Sequence, residues 1–194
     1  VADIIYDWSK TDGTLNPDGT LAVCPTYVPL GGPGNWLPTP PFFIAAAGAC
    51  QGSLRTFIPN IAITLFAPEH PAYSTETSSA FFMAANEVYQ RSLQLSADDI
   101  RLVNSWRDFT PNYNQPSHTL KLVTDIFSAD QLNLEDASVL YAKLNMAMFD
   151  AIVAASKAKF HYSLLRPITY IRNSMGYPAW NPTILAPPLP SYVG

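Results

Sequence analysis

Two basic residues near the end of the sequence have the types and spacing needed to bind a small oxyanion. Lys159 and Arg166 lie seven residues apart, in the most strongly helical segment of the chain. On a helix this spacing returns to nearly the same face, with the two Cα atoms about 10 Å apart along the axis. Arg supplies a planar fork of donors and Lys a compact charge, a combination that suits phosphate or a phosphate-like ion. Because Pro167 disfavours helical geometry at the preceding residue, we expect Arg166 at a helix end.

The same spacing has a simpler interpretation. Cations in the last turns of a helix are favoured by the helix dipole, and they often form nothing more than a solvated face. The spacing of Lys159 and Arg166 alone therefore leaves both an anion site and a solvated face open.

The elements that must position these residues begin with a long irregular segment. Residues 11–41 are rich in Pro and Gly and contain several turn signals, which predict a strap without regular structure. A strap of this length has to lie over the rest of the protein to be ordered. Its plausible anchors are Trp36, Phe42 and Phe43.

From about residue 74 the apolar residues recur with helical spacing. The predicted helix starts are Ser74 or Thr75, Ser96 with a capping-box pattern, and Ser117 after a loop bounded by Pro111 and Pro116. The strongest periodic segment covers residues 134–165 and is rich in Ala. Without strand-like alternation, this pattern predicts an all-α helical bundle with a long irregular Pro/Gly-rich N-terminal strap.

The composition limits the possible functions. The 194 residues suffice for a single domain, and we expect residues 1–194 to be the N-terminal part of a larger helical domain continuing beyond Gly194. With 48% hydrophobic and 13% charged residues, we expect much of the surface to be covered, by the rest of a larger protein or in a homo-oligomer. A net charge of −4 argues against a broad nucleic-acid surface. No uninterrupted apolar run is long enough to span a membrane.

Other polar and aromatic residues have structural interpretations. We expect Asp98–Asp99 and Glu135–Asp136 to stabilise helix starts, and the acidic residues near the N-terminus, Asp3, Asp7 and Asp12, to lie on the surface. His118 is expected to be buried or to cap a helix, and Trp36 and Trp106 to anchor the core. Whether Cys24 and Cys50 form a disulfide is left open by the sequence.

Two segments together carry a resemblance to a known family. Lys159, six intervening residues and Arg166–Pro167 resemble the first signature of the type 2 phosphatidic acid phosphatase superfamily, which includes the vanadium-dependent haloperoxidases. Residues 187–193 resemble the proline-rich lead of its second signature, in which Ser-Gly-His follows. Further segments look like the bacterial haloperoxidase-like branch: residues 36–41, 55–57, 73–74, 87–89, 106–108 and 115–118.

The resemblance implies that Lys159 and Arg166 bind equatorial oxygens of vanadate, or of phosphate or sulfate in the same site, and that Gly194 is a candidate for the glycine of Ser-Gly-His. The third signature, which supplies a second Arg and an axial His, has no counterpart here, and His70, His118 and His161 lack its context. Two residues depart from the family pattern. Some haloperoxidases carry an aromatic residue where this chain has Leu189, and some carry Trp where it has Ser156.

The implied function is peroxide-driven halide oxidation at a vanadate site in the intact protein, with these 194 residues alone inactive. The implied partners are a small oxyanion, peroxide, halide and the missing C-terminal half, in an extracytoplasmic or secreted protein. An acid phosphatase using the same site is the enzymatic alternative. The alternative of another class is a non-catalytic helical scaffold or interaction protein, in which Lys159 and Arg166 are structural.

Overall fold

A computed structural model describes residues 2–108 and 114–191, except for the side chain of Gln115. This part of the chain contains helices connected by irregular segments, and only isolated β-bridges rather than a sheet, which confirms the all-α class. The α-helices are α1 (Ala2–Ser9), α2 (Ile61–Thr64), α3 (Ala80–Ser92), α4 (Ala97–Trp106), α5 (Gln115–Ala129), α6 (Leu134–Tyr162) and α7 (Pro167–Asn173), with a short 3-10 helix at Gln51–Ser53.

The longest helix, α6, matches the segment predicted from its periodicity. Its N-cap is Asn133, whose side chain accepts a hydrogen bond from the backbone N–H of Asp136. Asp136 therefore belongs to a helix cap, as the sequence predicted. The helix ends where Ser163 adopts a left-handed conformation (φ 47°, ψ 38°) and donates its N–H to the carbonyl of Lys159.

The other helix starts agree in part with the sequence prediction. The capping box between Ser96 and Asp99 is present at α4. The predicted start of α3 was wrong: Ser79 caps it rather than Ser74, whose carbonyl accepts a hydrogen bond from the distant Tyr170 hydroxyl.

The predicted start of α5 was also wrong. Asn114 is its N-cap, and the predicted cap Ser117 donates back to the N-cap as the third residue of the helix. Pro116, which was expected to bound the preceding loop, lies in the first turn of α5 instead. The first turn tolerates proline because amide groups there have no partner within the helix. Pro111 lies outside the described residues.

The strap is anchored by Trp36, which has 0% exposure. Phe42 and Phe43 were expected to act similarly, but they are 69% and 63% exposed. The turn in which the Phe43 N–H bonds the Thr39 carbonyl buries Thr39 and leaves both phenyl rings outside. The exposure of these two phenyl rings follows from the turn, and the hydropathy of the sequence did not predict it.

A disulfide between Cys24 and Cys50 joins the strap to the segment before the 3-10 helix. The 3-10 helix lies directly on α6, and a Cβ added at Gly52 would come within 2.5 Å of the Lys157 Cα. Only glycine allows this approach without displacing backbone. The disulfide and Gly52 together fix the strap against the helix that carries Lys159.

The main buried cluster lies where α3 crosses α7. Ala85, Tyr170 and Ile171 form its centre, surrounded by partly buried aromatic residues.

Two sequence expectations fail outside this cluster. Trp106, the last residue of α4, is 60% exposed rather than a core anchor. Asp12 is buried because its carboxylate accepts hydrogen bonds from the backbone and hydroxyl of Thr14.

Much of α6 is exposed to solvent despite its apolar composition, with Leu134, Val139, Leu140, Met146 and Ile152 all largely uncovered. By length and composition this helix could cross a membrane, contrary to the expectation drawn from uninterrupted apolar runs. Core helices of soluble proteins share these two properties. The helix has a packed side as well, since the 3-10 helix and α2 both lie against it.

Candidate oxyanion site

The candidate site lies at the turn between α6 and α7. Lys159 belongs to the last turn of α6, and Arg166 is the N-cap residue of α7 with extended backbone angles (φ −74°, ψ 144°). Pro167 starts α7, so the prediction that it removes Arg166 from helical geometry is confirmed. The prediction that both cations share one helical face was wrong, because α6 ends at Tyr162 and the chain turns at Ser163.

One edge of the Arg166 guanidinium is fixed by the protein. Its Nε donates a hydrogen bond to the carbonyl oxygen of Leu189 over 2.8 Å. Its Nη2 is buried and has no hydrogen-bond partner among the described residues, and no carboxylate there forms an ion pair with Arg166. A buried donor without an acceptor is costly, so this geometry fits an external acceptor such as an oxyanion oxygen.

Lys159 and Arg166 influence each other electrostatically. Burial lowers the pKa of Lys159, and the positive charge of Arg166 lowers it further. Burial also lowers the pKa of Arg166 to about 10. Two mutually repelling, partly buried cations gain stability when an anion binds between them.

Three segments distant in sequence meet beside Arg166. Leu164 forms antiparallel bridges with Asn35 of the strap on one side and with Ser191 on the other. The Ser191 N–H donates to the Leu164 carbonyl at 2.9 Å. The structure therefore places the proline-rich lead predicted at residues 187–193 against the segment that carries Arg166, as far as residue 191.

The strap also holds the end of α6. The Trp36 N–H donates to the Ser163 carbonyl at 2.6 Å, and the Tyr27 hydroxyl donates to the Ser163 Oγ at 2.8 Å. Ser163 is fully buried, although a hydroxyl at a helix end would ordinarily be solvated. Sequence reasoning missed Tyr27 because 136 residues separate it from its partner and no local pattern marks the contact.

A buried carboxylate farther up α6 was also missed. Asp150 is 4% exposed and accepts hydrogen bonds from the backbone N–H groups of Phe57 and Ile58, at 2.7 and 2.9 Å. The signal available in the sequence was an acidic residue within the apolar stripe of a helix. Asp150 therefore attaches the segment after the 3-10 helix to α6.

The histidines lie in three different environments. His118 is mostly buried and pairs with Asp108, which confirms the expectation of a buried histidine. His161 is exposed and its ring packs edge-on against Phe66. The His70 Nδ1 lies 2.8 Å from the Pro71 carbonyl.

Two positions bear on the family pattern. Ser156 is buried and donates a hydrogen bond to Gln51 Oε1, so the 3-10 helix occupies the space beside it. Leu189 contributes its backbone carbonyl to Arg166. Gly194, the remaining predicted site residue, lies outside the described residues.

Comparisons with known proteins agree with this fold. The family model of the VCPO second helical-bundle domain matches residues 139–193, which contain most of α6, all of α7 and both candidate cations. The chain has the fold of the vanadium haloperoxidase-like superfamily, and the resemblance to that superfamily expected from the sequence is confirmed. No curated protein matches the sequence.

Among solved structures, the chain is similar to a crystal structure described as the first bacterial vanadium-dependent iodoperoxidase. The TM-score is 0.87 and the sequence identity 26%, over 98% of this chain. The chain spans about half the length of that structure, namely 47%.

Proposed function

We propose that the intact protein is a vanadium-dependent haloperoxidase-like enzyme in which Lys159 and Arg166 hold the vanadate oxygens. The observation that carries the proposal is the buried, unpartnered Nη2 of Arg166 beside a second cation, in a chain with the fold of a vanadium iodoperoxidase. Vanadate, when bound, supplies activation of peroxide toward oxidation of a halide. The residues present fit such an oxyanion because they offer positive charge and a free donor.

Arg166 has the more precise role in this proposal. Its Nε bond to the Leu189 carbonyl fixes the plane of the guanidinium, so that the remaining donors are oriented before the anion arrives. Lys159 adds charge from the end of α6, and Tyr27 and Trp36 hold the turn between the two cations through Ser163. Such preorganisation reduces the entropic cost of binding.

The axial histidine implied by the family resemblance is proposed to come from a segment outside these 194 residues. His118 is paired with Asp108, and His161 packs against Phe66. The exposed apolar face of α6 is proposed to be covered by the same remaining part of the protein, since the similar iodoperoxidase structure is about twice as long. We expect residues 1–194 alone to show no peroxidase turnover.

The disulfide between Cys24 and Cys50 supports an extracytoplasmic location for the protein, because disulfides persist in oxidising compartments. This location remains part of the proposal.

The proposed function is tested with the full-length protein freed of bound oxyanions. Addition of orthovanadate should produce peroxide-dependent oxidation of iodide or bromide, measured as triiodide formation or bromination of a dye. Hydrolysis of p-nitrophenyl phosphate without vanadate-dependent halide oxidation would favour the acid phosphatase. Oxyanion binding without either activity, or no binding at all, would favour the scaffold.

A further inference from the structure

An open cleft lies between α1, α2, the 3-10 helix and α6. Its volume is about 440 Å³, and its described lining includes two cations, Arg55 and Lys157. Neither Lys159 nor Arg166 is among these lining residues. Lys157 precedes Lys159 by two residues, which on an α-helix turns the two side chains roughly 200° apart. The Arg55–Lys157 cleft is therefore separate from the candidate oxyanion site.

The positive charge of this cleft has no acidic counterpart in its described lining. Neither Arg55 nor Lys157 forms an ion pair within the part of the chain that the structure describes. Trp8 holds Arg55 instead, since its carbonyl accepts a hydrogen bond from the Arg55 Nη2 at 2.6 Å and its ring centroid lies 4.2 Å from the Arg55 Cζ. This contact attaches α1, but it does not account for the half-buried Lys157. Two cations in one cleft without a carboxylate favour a bound anion.

The cleft also has apolar walls that an inorganic anion would not need. The Trp8 and Phe57 rings stack with their centroids 4.5 Å apart and their planes 16° apart. Phe57 is fixed in turn, because its backbone N–H donates to the buried Asp150 carboxylate at 2.7 Å. Ile63 of α2, which is 62% exposed, adds aliphatic surface to the lining. The volume of the cleft lies within the range of roughly 300–1,000 Å³ that is typical of small-molecule sites.

We propose that the Arg55–Lys157 cleft binds a small aromatic carboxylate. Arg55 and Lys157 bind the carboxylate group, for which a guanidinium offers a matching fork of donors. The ring of the ligand packs against the wall formed by Trp8 and Phe57. This inference is independent of the proposed function, because the described lining of the cleft contains no residue proposed to hold vanadate.

The test compares 2-naphthoate with 2-naphthamide, which has the same rings without the charge, and with acetate, which has the charge without the rings. Binding to the full-length protein is measured by calorimetry. We expect naphthoate to bind at least ~10-fold more tightly than either, because it alone gains both charge-assisted hydrogen bonds and burial of the rings. Lys157→Gln should lower naphthoate affinity by ~10-fold and leave naphthamide affinity unchanged. Lys143→Gln, at an exposed position on the same helix, is the matched control.

A second variant tests the space in the cleft rather than its charge. Ser53→Phe places a phenyl ring in the cleft from an exposed position of the 3-10 helix and should weaken naphthoate binding by at least ~10-fold. Ser78→Phe, at an exposed position before α3, should not. Equal affinities for naphthoate and naphthamide, or no binding of either, would overturn the inference. Naphthoate affinity that survives both Lys157→Gln and Ser53→Phe would also overturn it, because the ligand would then occupy another part of the protein.

Discussion

Arg166 donates its Nε–H to the carbonyl oxygen of Leu189, 23 residues later in the chain, over 2.8 Å. This bond joins the first candidate signature to the proline-rich lead of the second, and the buried Nη2 has no hydrogen-bond partner among the described residues. The proline-rich lead therefore has a structural role of its own, because its Leu189 carbonyl orients the Arg166 guanidinium. The following predictions examine this site and the elements that hold it.

Oxyanion affinity should decrease at alkaline pH. Burial and the charge of Arg166 lower the pKa of Lys159, whereas a bound anion raises it, so binding is coupled to protonation of Lys159. Affinity is full below the lowered pKa and falls as pH rises through it, before the ordinary lysine value of 10.5. Sulfate is a suitable ligand because its own charge is constant there, and calorimetry at a series of pH values measures the effect.

The matched variants for this pH profile are Lys159→Arg and Lys143→Arg. The first should lessen the loss of sulfate affinity, because guanidinium groups hold their proton more strongly than ammonium groups. The loss that remains should follow Arg166, whose pKa burial lowers to about 10. The second, at an exposed position on α6, should leave the profile unchanged. A profile identical in all three proteins would show that Lys159 does not contact the anion.

Removal of the Asp150 carboxylate should destabilise the fold. Asp150→Ala leaves the partly buried backbone N–H groups of Phe57 and Ile58 without their acceptor, at a cost of about 2 kcal/mol. Urea denaturation followed by circular dichroism measures the change in the free energy of unfolding. Asp130→Ala, at the exposed C-cap of α5, is the control and should have little effect. A loss below about 1 kcal/mol in Asp150→Ala would contradict the structural role.

Loss of the disulfide should loosen the strap. Replacing both Cys24 and Cys50 by Ser removes a link across 26 residues, whose constraint on the unfolded chain is worth about 3.5 kcal/mol. The free energy of unfolding should fall by about this amount, and amide hydrogen exchange should accelerate around Tyr27 and Trp36. Reducing agent should reproduce the effect in the unmodified protein and have none in the double variant. Unchanged exchange would mean that the strap is held without the disulfide.

The sequence predicted the elements governed by local rules and missed those governed by distant contacts. Periodicity located α6, and the Ser96–Asp99 pattern located the start of α4, because both depend on residues a few positions apart. The prediction that Lys159 and Arg166 share one helical face failed because heptad spacing carries no information about the left-handed turn at Ser163. Tyr27 and Asp150 bond groups 136 and about 93 residues away, and local patterns do not record such pairs.

The most direct test of the account is the affinity of the full-length protein for orthovanadate, measured by equilibrium titration in the unmodified protein and in Arg166→Lys. Lys keeps the positive charge but lacks the several guanidinium donors with which Arg166 can bond the Leu189 carbonyl and the anion at the same time. We therefore predict that vanadate affinity falls by about 10- to 100-fold. Arg101→Gln, at an exposed position on α4, should bind as the unmodified protein does. Equal vanadate affinity in Arg166→Lys and the unmodified protein would contradict the claim that Arg166 holds the oxyanion.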